Sequence, residues 1–361
     1  MTERAEAPVS RYRRRNEPPD LVVVGDCNPD VLVLGDDVTP SFGQQEKLVE
    51  GISMVIGGSA AITAVAAARL GLSVRLVAAV GADPAGDFLL GQLSREGVDT
   101  AAVAVRDDMP TGMTIALSRG TDRAILTALG AVASLTTQDV PAPLLARARH
   151  VHVSSYFLLE HALGPGLAAI LAAARAAGAT TSLDTNWDPA GKWGDDHLSA
   201  SLAQTDVLLP NEAEALRIAG EPSLPAAAQA LTAAGARLAV KLGERGVLCA
   251  DGAVWHRAEL PPVTPVDSTG AGDCFNAGLI AGLLRGLVLP DAAALGCAVG
   301  ALSTRAPGGT ASCPDLASAL ALAQTAAVRR VSAGMLSSYA PCQPGPGDQD
   351  PQSGGEPAEE H

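Results

Sequence analysis

The sequence predicts an α/β fold in which a mostly parallel central sheet lies between layers of helices. Short apolar, β-branched runs at 21–24, 151–155 and 181–184 have the length and composition of buried strands. Ala-rich segments of helical length, at 59–70 and 167–177, alternate with these runs. Such alternation is typical of βαβ units, whose right-handed crossovers put helices on both faces of a parallel sheet.

The composition of the whole chain narrows the class of protein. With 361 residues, of which 47% are hydrophobic, the chain can bury a large core. A formal net charge of -14 at pH 7 argues against a surface for nucleic acid or anionic membrane, so the expected partners are small molecules. The six cysteines are scattered without a C-x-x-C pair, which favours buried thiols of a reduced cytosol over disulfides or a zinc site.

The two ends of the chain differ from its middle. Residues 1–19 and 336–361 are rich in proline, glycine and polar residues and are predicted to be disordered tails, which leaves 20–335 as one folded domain. The apolar run at 21–24 is too short for a signal peptide, and no run of eighteen apolar residues occurs. We therefore expect a cytoplasmic protein.

In the first half of the chain, the strand at 21–24 leads into a loop with Asn28 and Asp30. Loops at the carboxyl ends of parallel strands face the ligand crevice of such a sheet. The polar, loosely alternating stretch 44–55 suits an exposed strand pair, and Gly57 and Gly58 precede the helix at 59–70. Further strands are predicted at 74–80, 101–105, 113–117 and 124–127, with a helix at 87–95.

In the second half, a strand at 206–209 precedes Asn211 and Glu214, which have the spacing of a helix capping box. A strand ending at Lys241 precedes the glycine-containing turn 243–246. Helices are predicted at 292–304 and, as the final element, at 315–331.

The stretch 265–287, PVDSTGAGDCFNAGLIAGLLRGL, is the most informative part of the chain. A glycine loop runs directly into an apolar helix, and the free N–H groups and dipole at such a helix start attract an anion such as a phosphate. Asp273 would repel that anion, a cost that is understandable if its carboxylate accepts a proton from an attacking hydroxyl. A glycine-rich turn with capping aspartates is the simpler alternative.

The string DSTGAGDCFNAG resembles the signature of the ribokinase-like, or PfkB, family of carbohydrate kinases. The segments N-x-D at 28–30, GG at 57–58, D-x-N at 184–186, N-x-x-E at 211–214 and KxGxxG at 241–246 resemble other family motifs and follow in the family's order. The resemblance implies a ribokinase-like three-layer sandwich with a small β lid, expected at about 36–56 and 101–128. It also implies an ATP-dependent sugar kinase that uses Mg²⁺, with K⁺ as a further candidate cofactor.

Roles for individual residues follow from the resemblance. The expected catalytic residues are Gly270, Ala271, Gly272 and Asp273, and the expected sugar-binding residues are Asn28, Asp30, Gly57, Gly58, Asp184 and Asn186. The expected nucleotide-binding residues are Asn211, Lys241, Gly243, Gly246, Thr269 and Gly308. Glu214 and Asn211 are expected to hold Mg²⁺ through water, and Asp267, Thr269 and Ser312 are candidates for a monovalent cation site.

One residue departs from the family pattern, and three questions stay open. Ile62 stands where the first signature has an asparagine, which would favour a sugar with an apolar or deoxy position. The substrate class implied is a small carbohydrate such as fructose, ribose or 2-keto-3-deoxygluconate. The alternatives are a nucleoside kinase and a non-catalytic sugar-binding relative. In this family the lid often pairs two subunits, so a homodimer is a further expectation.

Overall fold

The described strands form two separate sheets, one of ten strands and one of four. This structure is a computed structural model that describes residues 18–119, 122–233 and 235–332; all but residues 18 and 19 of the predicted tails lie outside these ranges. In chain order the strands are β1 Leu21–Val24, β2 Asn28–Leu34, β3 Gly51–Gly57, β4 Val74–Gly81, β5 Asp99–Arg106, β6 Met113–Arg119, β7 Asp122–Ala128, β8 His150–Val153, β9 Thr180–Leu183, β10 Val207–Leu208, β11 Arg237–Lys241, β12 Val247–Asp251, β13 Val254–Glu259 and β14 Ala327–Val331.

Helices connect most of the parallel strands. In chain order they are α1 Ser59–Arg69, α2 Pro84–Arg95, α3 Ala142–Leu145, α4 Tyr156–Leu159, α5 Gly164–Ala176, α6 Asp196–Leu202, α7 Glu212–Ala219, α8 Leu224–Ala233, α9 Ala271–Leu284, α10 Leu289–Ser303 and α11 Leu316–Ala323. Short 3-10 helices span Gly130–Ser134, Thr137–Asp139 and Gly243–Arg245. None of the described helices has both the length and the apolar composition that crossing a bilayer requires.

The large sheet has the order β14-β13-β12-β11-β10-β9-β8-β1-β4-β5. Neighbouring strands from β11 to β5 run parallel, whereas β11 to β14 pair antiparallel. Because parallel strands share one direction, the loops that follow β1, β9, β10 and β11 all leave the same edge of the sheet. The candidate functional residues lie at that edge.

The core consists of one apolar layer on each face of the large sheet. Strand β1 is fully buried, and its residues alternate between the two layers. Leu21 and Val23 pack in a cluster with α1, α2, α9 and α10, whereas Val22 and Val24 pack in a cluster with α5, α6 and α8. The prediction of a three-layer α/β sandwich with a mostly parallel sheet is therefore confirmed.

Helices α9 and α10 pack closely enough to require small residues at their interface. A Cβ atom on Gly278 would lie 2.8 Å from the Cα atom of Gly296, a distance that real side chains do not adopt. Helix α9 carries no charged residue from Cys274 to Leu284, and most of it is buried. An apolar surface on all sides is typical of such an internal helix.

The small sheet has the order β3-β2-β6-β7 and differs in two ways from the predicted lid. The lid was expected at about 36–56 and 101–128, but β5 pairs in parallel with β4 at the edge of the large sheet. Strand β2, which precedes the expected range, is instead central to the small sheet. An apolar, alternating sequence identifies a strand but does not say which of two sheets it joins.

The predicted final helix at 315–331 is correct only in its first part. Helix α11 ends at Ala323, and β14 pairs antiparallel with β13, with Trp255 opposite Val331. The Ala- and Leu-rich sequence of α11 gives way to Thr325 and to the β-branched residues Val328 and Val331. These residues favour a strand where a free sheet edge offers hydrogen bonds.

Candidate active site

The glycine loop before α9 is held in place by Asp267. Its Oδ1 accepts hydrogen bonds from Thr269 N and Thr269 Oγ1, at 2.9 and 2.7 Å, and its Oδ2 accepts one from Gly308 N at 2.8 Å. Gly270 has a left-handed φ of 70° and begins the helix without a side-chain cap. The start of α9 therefore keeps its dipole and first-turn amides available for an anion.

The first-turn amides of α9 are not equivalent. The N–H of Ala271 donates to Ser268 O at 3.2 Å, within the loop itself. Gly272 lies next to a cation, because a Cβ atom there would be 3.6 Å from Lys241 Nζ. The side of the helix start that carries Gly272 and Asp273 is thus the better position for a negatively charged group.

Asp273 is the third residue of α9 and lies among charged side chains of other loops. Burial raises the pKa of its carboxyl well above the usual range, and the nearby Asp184 and Asp26 carboxylates raise it further. The Lys241 ammonium and a hydrogen bond with Ser59 act in the opposite direction. A carboxyl in such surroundings holds a proton at higher pH than an exposed aspartate does.

Lys241 and Asp184 form a buried ion pair beside this carboxyl. Lys241 Nζ lies 2.7 Å from Asp184 Oδ2, and the two side chains are 15% and 6% exposed. Asn276 Nδ2 donates to the same oxygen at 2.5 Å, and Asn186 N donates to Oδ1 at 3.1 Å. Although burial opposes it, the Lys241 ammonium holds the pKa of Asp184 below its usual value, so the pair stays charged.

Ser59, the first residue of α1, joins three loops of the site. Its N–H and that of Ala60 donate to the buried Asp26 carboxylate at 3.0 and 3.1 Å. Its hydroxyl accepts a hydrogen bond from Asn186 Nδ2 at 3.1 Å. This serine also lies close enough to Asp273 to lower the pKa of its carboxyl, so the loops after β1 and β9 and the start of α9 meet at one residue.

A second polar group lies on the small sheet. Asn28 Nδ2 donates to Asp30 Oδ1 at 3.1 Å and to Thr114 Oγ1 at 3.0 Å, and Thr114 Oγ1 lies 3.1 Å from Thr127 Oγ1. Asp30, Thr114 and Thr127 stand opposite one another across β2, β6 and β7, so their side chains share one face. Gly57 leaves room for Asp30, because a Cβ atom there would be 1.9 Å from Oδ1.

Asn211 and Glu214 form a capping box at the start of α7. Asn211 Oδ1 accepts from Glu214 N at 2.8 Å, and Glu214 Oε2 accepts from Asn211 N at 2.9 Å. The structure therefore contains the helix capping box that the spacing of Asn211 and Glu214 indicates. Burial and the Asp184 charge raise the pKa of the Glu214 carboxyl to about 7, and the nearby Lys241 ammonium acts to lower it.

The loop 305–314 covers the glycine loop. Gly309 packs against Gly270 and Ile62, and Gly308 lies near Val55 of β3. Ile62 is 3% exposed and fills the space between the two glycine loops, so its contacts are with protein rather than with a sugar. Ser312 Oγ donates to Ser303 O at 2.6 Å.

The structure brings together Asp184, Asn186, Asn211, Glu214, Lys241, Gly272 and Asp273, and it joins Asn28, Asp30 and Gly57 in the small sheet. Gly58 lies against the backbone of Asp26. Gly246 instead packs against the carbonyl oxygen of Ala258. Gly243 begins the 3-10 turn that Gly246 ends.

Sequence reasoning did not assign the site residues Asp26, Ser59, Thr114, Thr127 and Asn276. Asp26 shares the strand-end loop of Asp30, and Asn276 follows Asp273 by one helical turn, so position in the chain could have identified both. Thr114 and Thr127 come from strands far from any motif, and only the register of the small sheet brings them to Asn28.

Comparison with known proteins gives a consistent result. A sequence profile described as "pfkB family carbohydrate kinase" matches residues 18–316. The 2-dehydro-3-deoxygluconokinase of Bacillus subtilis is 33% identical over 279 residues, which cover 72% of this chain and 84% of that protein. The fructokinase of Salmonella typhimurium is 30% identical over 302 residues, covering 80% of this chain and 97% of that protein.

Solved structures share the fold. The ribokinase of Arabidopsis thaliana complexed with ribose and ATP has a TM-score of 0.71 at 23% identity, covering 85% of this chain and 99% of that chain. An E. coli protein assigned as a ribokinase II, in complex with ATP and Mg²⁺, has a TM-score of 0.75 at 24% identity with the same coverage. These likenesses confirm the ribokinase-like fold predicted from the sequence.

Proposed function

We propose that this chain, which belongs to the pfkB family of carbohydrate kinases, transfers the γ-phosphoryl group of ATP to a hydroxyl of a small sugar. The observation that carries the proposal is the position of Asp273. Its carboxyl lies in the uncapped first turn of α9, its pKa is raised by burial, and Lys241 lies beside it. A base at a phosphate-binding helix start is what transfer to a hydroxyl requires.

In the proposed reaction, Asp273 accepts the proton of the sugar hydroxyl as its oxygen attacks the γ-phosphorus. The raised pKa makes the carboxylate a stronger base than an exposed aspartate, which is useful because a hydroxyl proton is lost with difficulty. Ser59 lies close enough to this carboxyl to lower its pKa, and Asn186 Nδ2 donates to the Ser59 hydroxyl, so two neighbouring loops are joined beside the base.

Positive potential for the transferred group comes from two sources. The first-turn amides of α9 at Gly272 and Asp273 supply partial charge, and Lys241 supplies a full charge close to Gly272. Asp184 keeps Lys241 protonated: burial alone would lower the pKa of Lys241, but the Asp184 and Glu214 charges raise it. We therefore assign Asp184 a positioning role for Lys241 in addition to any contact with sugar.

The residues predicted for Mg²⁺ fit an ion that arrives with the nucleotide. Among residues 18–119, 122–233 and 235–332, no group of three or more His, Cys, Asp or Glu side chains could hold a metal ion. The Glu214 and Asn211 side-chain oxygens each accept one hydrogen bond within the capping box and keep a second lone pair. Mg²⁺ prefers oxygen ligands and keeps several waters, so these two residues could hold it through those waters. When bound, the ion would neutralise phosphate charge.

The side chains predicted for a monovalent cation fit such an ion less well. Both oxygens of Asp267 accept hydrogen bonds from Thr269 and Gly308, and the Ser312 hydroxyl is directed to Ser303 O. In this arrangement these groups stabilise the two loops. The proposed reaction assigns no step to K⁺.

The proposed sugar site is the polar face formed by Asn28, Asp30, Thr114 and Thr127. Hydroxyl and carboxylate groups on one face of a sheet suit the hydroxyls of a fructose-, ribose- or 2-keto-3-deoxygluconate-like sugar. The named activities of the relatives, 2-dehydro-3-deoxygluconokinase and fructokinase, support this substrate class. The small sheet would act as a lid that keeps water from the reacting groups.

The opposite face of the small sheet supports the proposal of a homodimer. The cross-strand neighbours on this face, one from each of the four strands, are Met54, Val31, Ile115 and Leu126. Leu126 is 62% exposed. A row of exposed apolar side chains on one sheet face is typical of an interaction surface. The change Leu126→Lys should therefore convert a dimer to a monomer in light scattering after size exclusion.

The substrate proposal is tested by incubating the full chain with γ-labelled ATP, Mg²⁺ and each compound of a panel. The panel contains fructose, ribose, 2-keto-3-deoxygluconate, sugar phosphates and adenosine. We expect label in one or more sugars. Label in adenosine alone would contradict the proposal.

The role of Asp273 is tested with a matched pair of variants. Asp273→Asn should lose about 10²–10⁴-fold in kcat, the usual effect of removing a positioned base, while calorimetry still shows sugar binding. Asp291, the third residue of α10, is an exposed aspartate at the same helical position. Asp291→Asn should keep normal turnover, and equal turnover in both variants would refute the assignment of the base.

A further inference from the structure

Two cysteine side chains meet directly behind the proposed base. Cys274 follows Asp273 in α9, and its Sγ lies 3.2 Å from Sγ of Cys313, in the loop after α10. Cys274 is 0% exposed and Cys313 is 7% exposed. Both thiols lie within reach of one carbonyl oxygen, that of Gly309, at 3.5 and 3.4 Å. The separation of the two sulfurs exceeds a disulfide bond by only about 1.2 Å.

We propose that Cys274 and Cys313 form a dithiol site that peroxide oxidises to a disulfide, and that this bond slows phosphoryl transfer. The effect on turnover rests on the proposed kinase function, whereas the formation of the bond does not. The site was not expected from the sequence, because 38 residues separate the two cysteines and neither belongs to a paired motif.

The two thiols differ in acidity, which assigns them different roles. The hydrogen bond with Cys274 lowers the pKa of Cys313, although burial opposes this. The Arg69 guanidinium lowers it further, and the Glu96 carboxylate that pairs with Arg69 acts against it. Arg69 is held next to this loop, since its Nη1 donates to Thr310 O at 2.6 Å and to Cys313 O at 3.2 Å. The hydrogen bond with Cys313, together with burial, raises the pKa of Cys274. Cys313 is also the more accessible of the two, at 7% exposed against 0% for Cys274, so we assign it as the thiolate that reacts first.

The reaction balances with one molecule of hydrogen peroxide. The Cys313 thiolate attacks a peroxide oxygen, the O–O bond breaks, and the products are a sulfenic acid and hydroxide, which takes up a proton. The Cys274 sulfur then loses its proton and attacks the Cys313 sulfur, so an S–S bond forms and the S–O bond breaks with loss of water. In total, two thiols and one peroxide give one disulfide and two waters. A thiol reductant reverses the step.

The position of the bond explains why turnover should fall. It would tie the first turn of α9, which carries Asp273, to the loop whose Gly309 packs against Gly270. To close the bond, the sulfurs must approach by about 1 Å, and any part of this shift that side-chain rotation does not supply moves the backbone of α9 or of the loop. A displacement of this size at a catalytic group costs on the order of 10²-fold in rate. We expect turnover to fall about 10- to 100-fold on oxidation.

The test uses the full chain, hydrogen peroxide and tryptic mass mapping without reduction. Trypsin separates all six cysteines into different peptides, and those with Cys274 and Cys313 are 258–285 and 306–329. We expect these two peptides to become linked, turnover to fall, and dithiothreitol to reverse both changes. Because the linked peptide is detected without any substrate, its formation judges the dithiol even if the proposed kinase activity fails.

Matched variants separate this site from the other thiols. Cys313→Ser and Cys313→Ala should form no linked peptide and should keep their turnover under the same peroxide exposure. Cys297→Ser removes a half-buried cysteine of α10 and should respond to peroxide as the unchanged chain does. Three results would each overturn the proposal. They are the absence of the linked peptide, unchanged turnover once it has formed, and inactivation of the Cys313 variants by peroxide to the same extent as the unchanged chain.

Discussion

Replacement of Lys241 by methionine tests the charged centre of the proposed site most directly. The change keeps most of the side-chain volume and removes the ammonium that lies 2.7 Å from Asp184. Asp184 would then be a buried carboxylate whose remaining partners are Asn276 Nδ2 and Asn186 N. The expected effect is a loss of both stability and turnover.

The magnitude follows from the burial of the pair. Removing one partner of a buried ion pair costs about 3–5 kcal/mol, because the other charge is left uncompensated. Since Lys241 is 15% exposed and Asp184 keeps two hydrogen-bond donors, we take the lower end, about 3 kcal/mol. For a domain of this size, that loss lowers the melting temperature by roughly 4–6 °C. Loss of the charge beside Gly272 should also reduce kcat by about 10²–10³-fold.

The assay is a double-mutant cycle with thermal or urea unfolding and with turnover. Lys241→Met and Asp184→Asn should each destabilise the protein, whereas the double variant should be more stable than their sum implies, by about 2 kcal/mol. Turnover should stay low in the double variant, because the positive charge is still missing. Lys192→Met, at an exposed lysine, is the control and should change stability by less than about 0.5 kcal/mol. Additive effects in the cycle would refute the reasoning.

Three further outcomes are expected. Turnover should fall at a pH above the usual aspartate range as the pH is lowered, because burial raises the pKa of Asp273, and a plateau down to the usual range would contradict this. Gly270→Ala should cost about 1–3 kcal/mol more than Gly220→Ala in urea unfolding, because both glycines have positive φ but only Gly270 contacts Gly309. The Glu214 pKa of about 7 exceeds the usual 4.5, so the folded state binds the extra proton and stability should fall as pH rises from 4.5 to 7. Glu214→Gln should flatten this slope, and an unchanged slope would assign it to other groups.

The sequence predicted that these polar residues lie together, because they occupy fixed points of the fold. Asp184, Asn211 and Lys241 each end a parallel strand or follow one directly, and such strand ends meet at one edge. Asp273 lies at the start of a long apolar helix, where glycines interrupt the pattern. Local sequence signals were sufficient to predict the positions of these residues, because consecutive βαβ units place the ends of their parallel strands at the same edge of the sheet.

Other parts could not be predicted, because they depend on pairing between distant segments. Thr114 and Thr127 reach Asn28 only through the register of β2, β6 and β7. Strand β14 forms because β13 leaves a free sheet edge, and the sequence around Ala327 gives no information about that edge. For Ile62, the missing asparagine indicated a change in the sugar contact, but the structure shows packing between two glycine loops.

The charges of the site account for why a divalent cation should accompany the nucleotide. The Asp184 charge raises the pKa of both Glu214 and Asp273, the Asp26 charge raises that of Asp273 further, and the Lys241 ammonium lowers both. The phosphates of ATP would add negative charge to this group, and that charge would raise the pKa of Asp273 further and keep the base protonated. A cation that arrives with the phosphates offsets this effect, so it serves the base as well as the leaving group. Chelation with EDTA should therefore abolish turnover and weaken ATP binding, and tight ATP binding without a divalent cation would contradict this account.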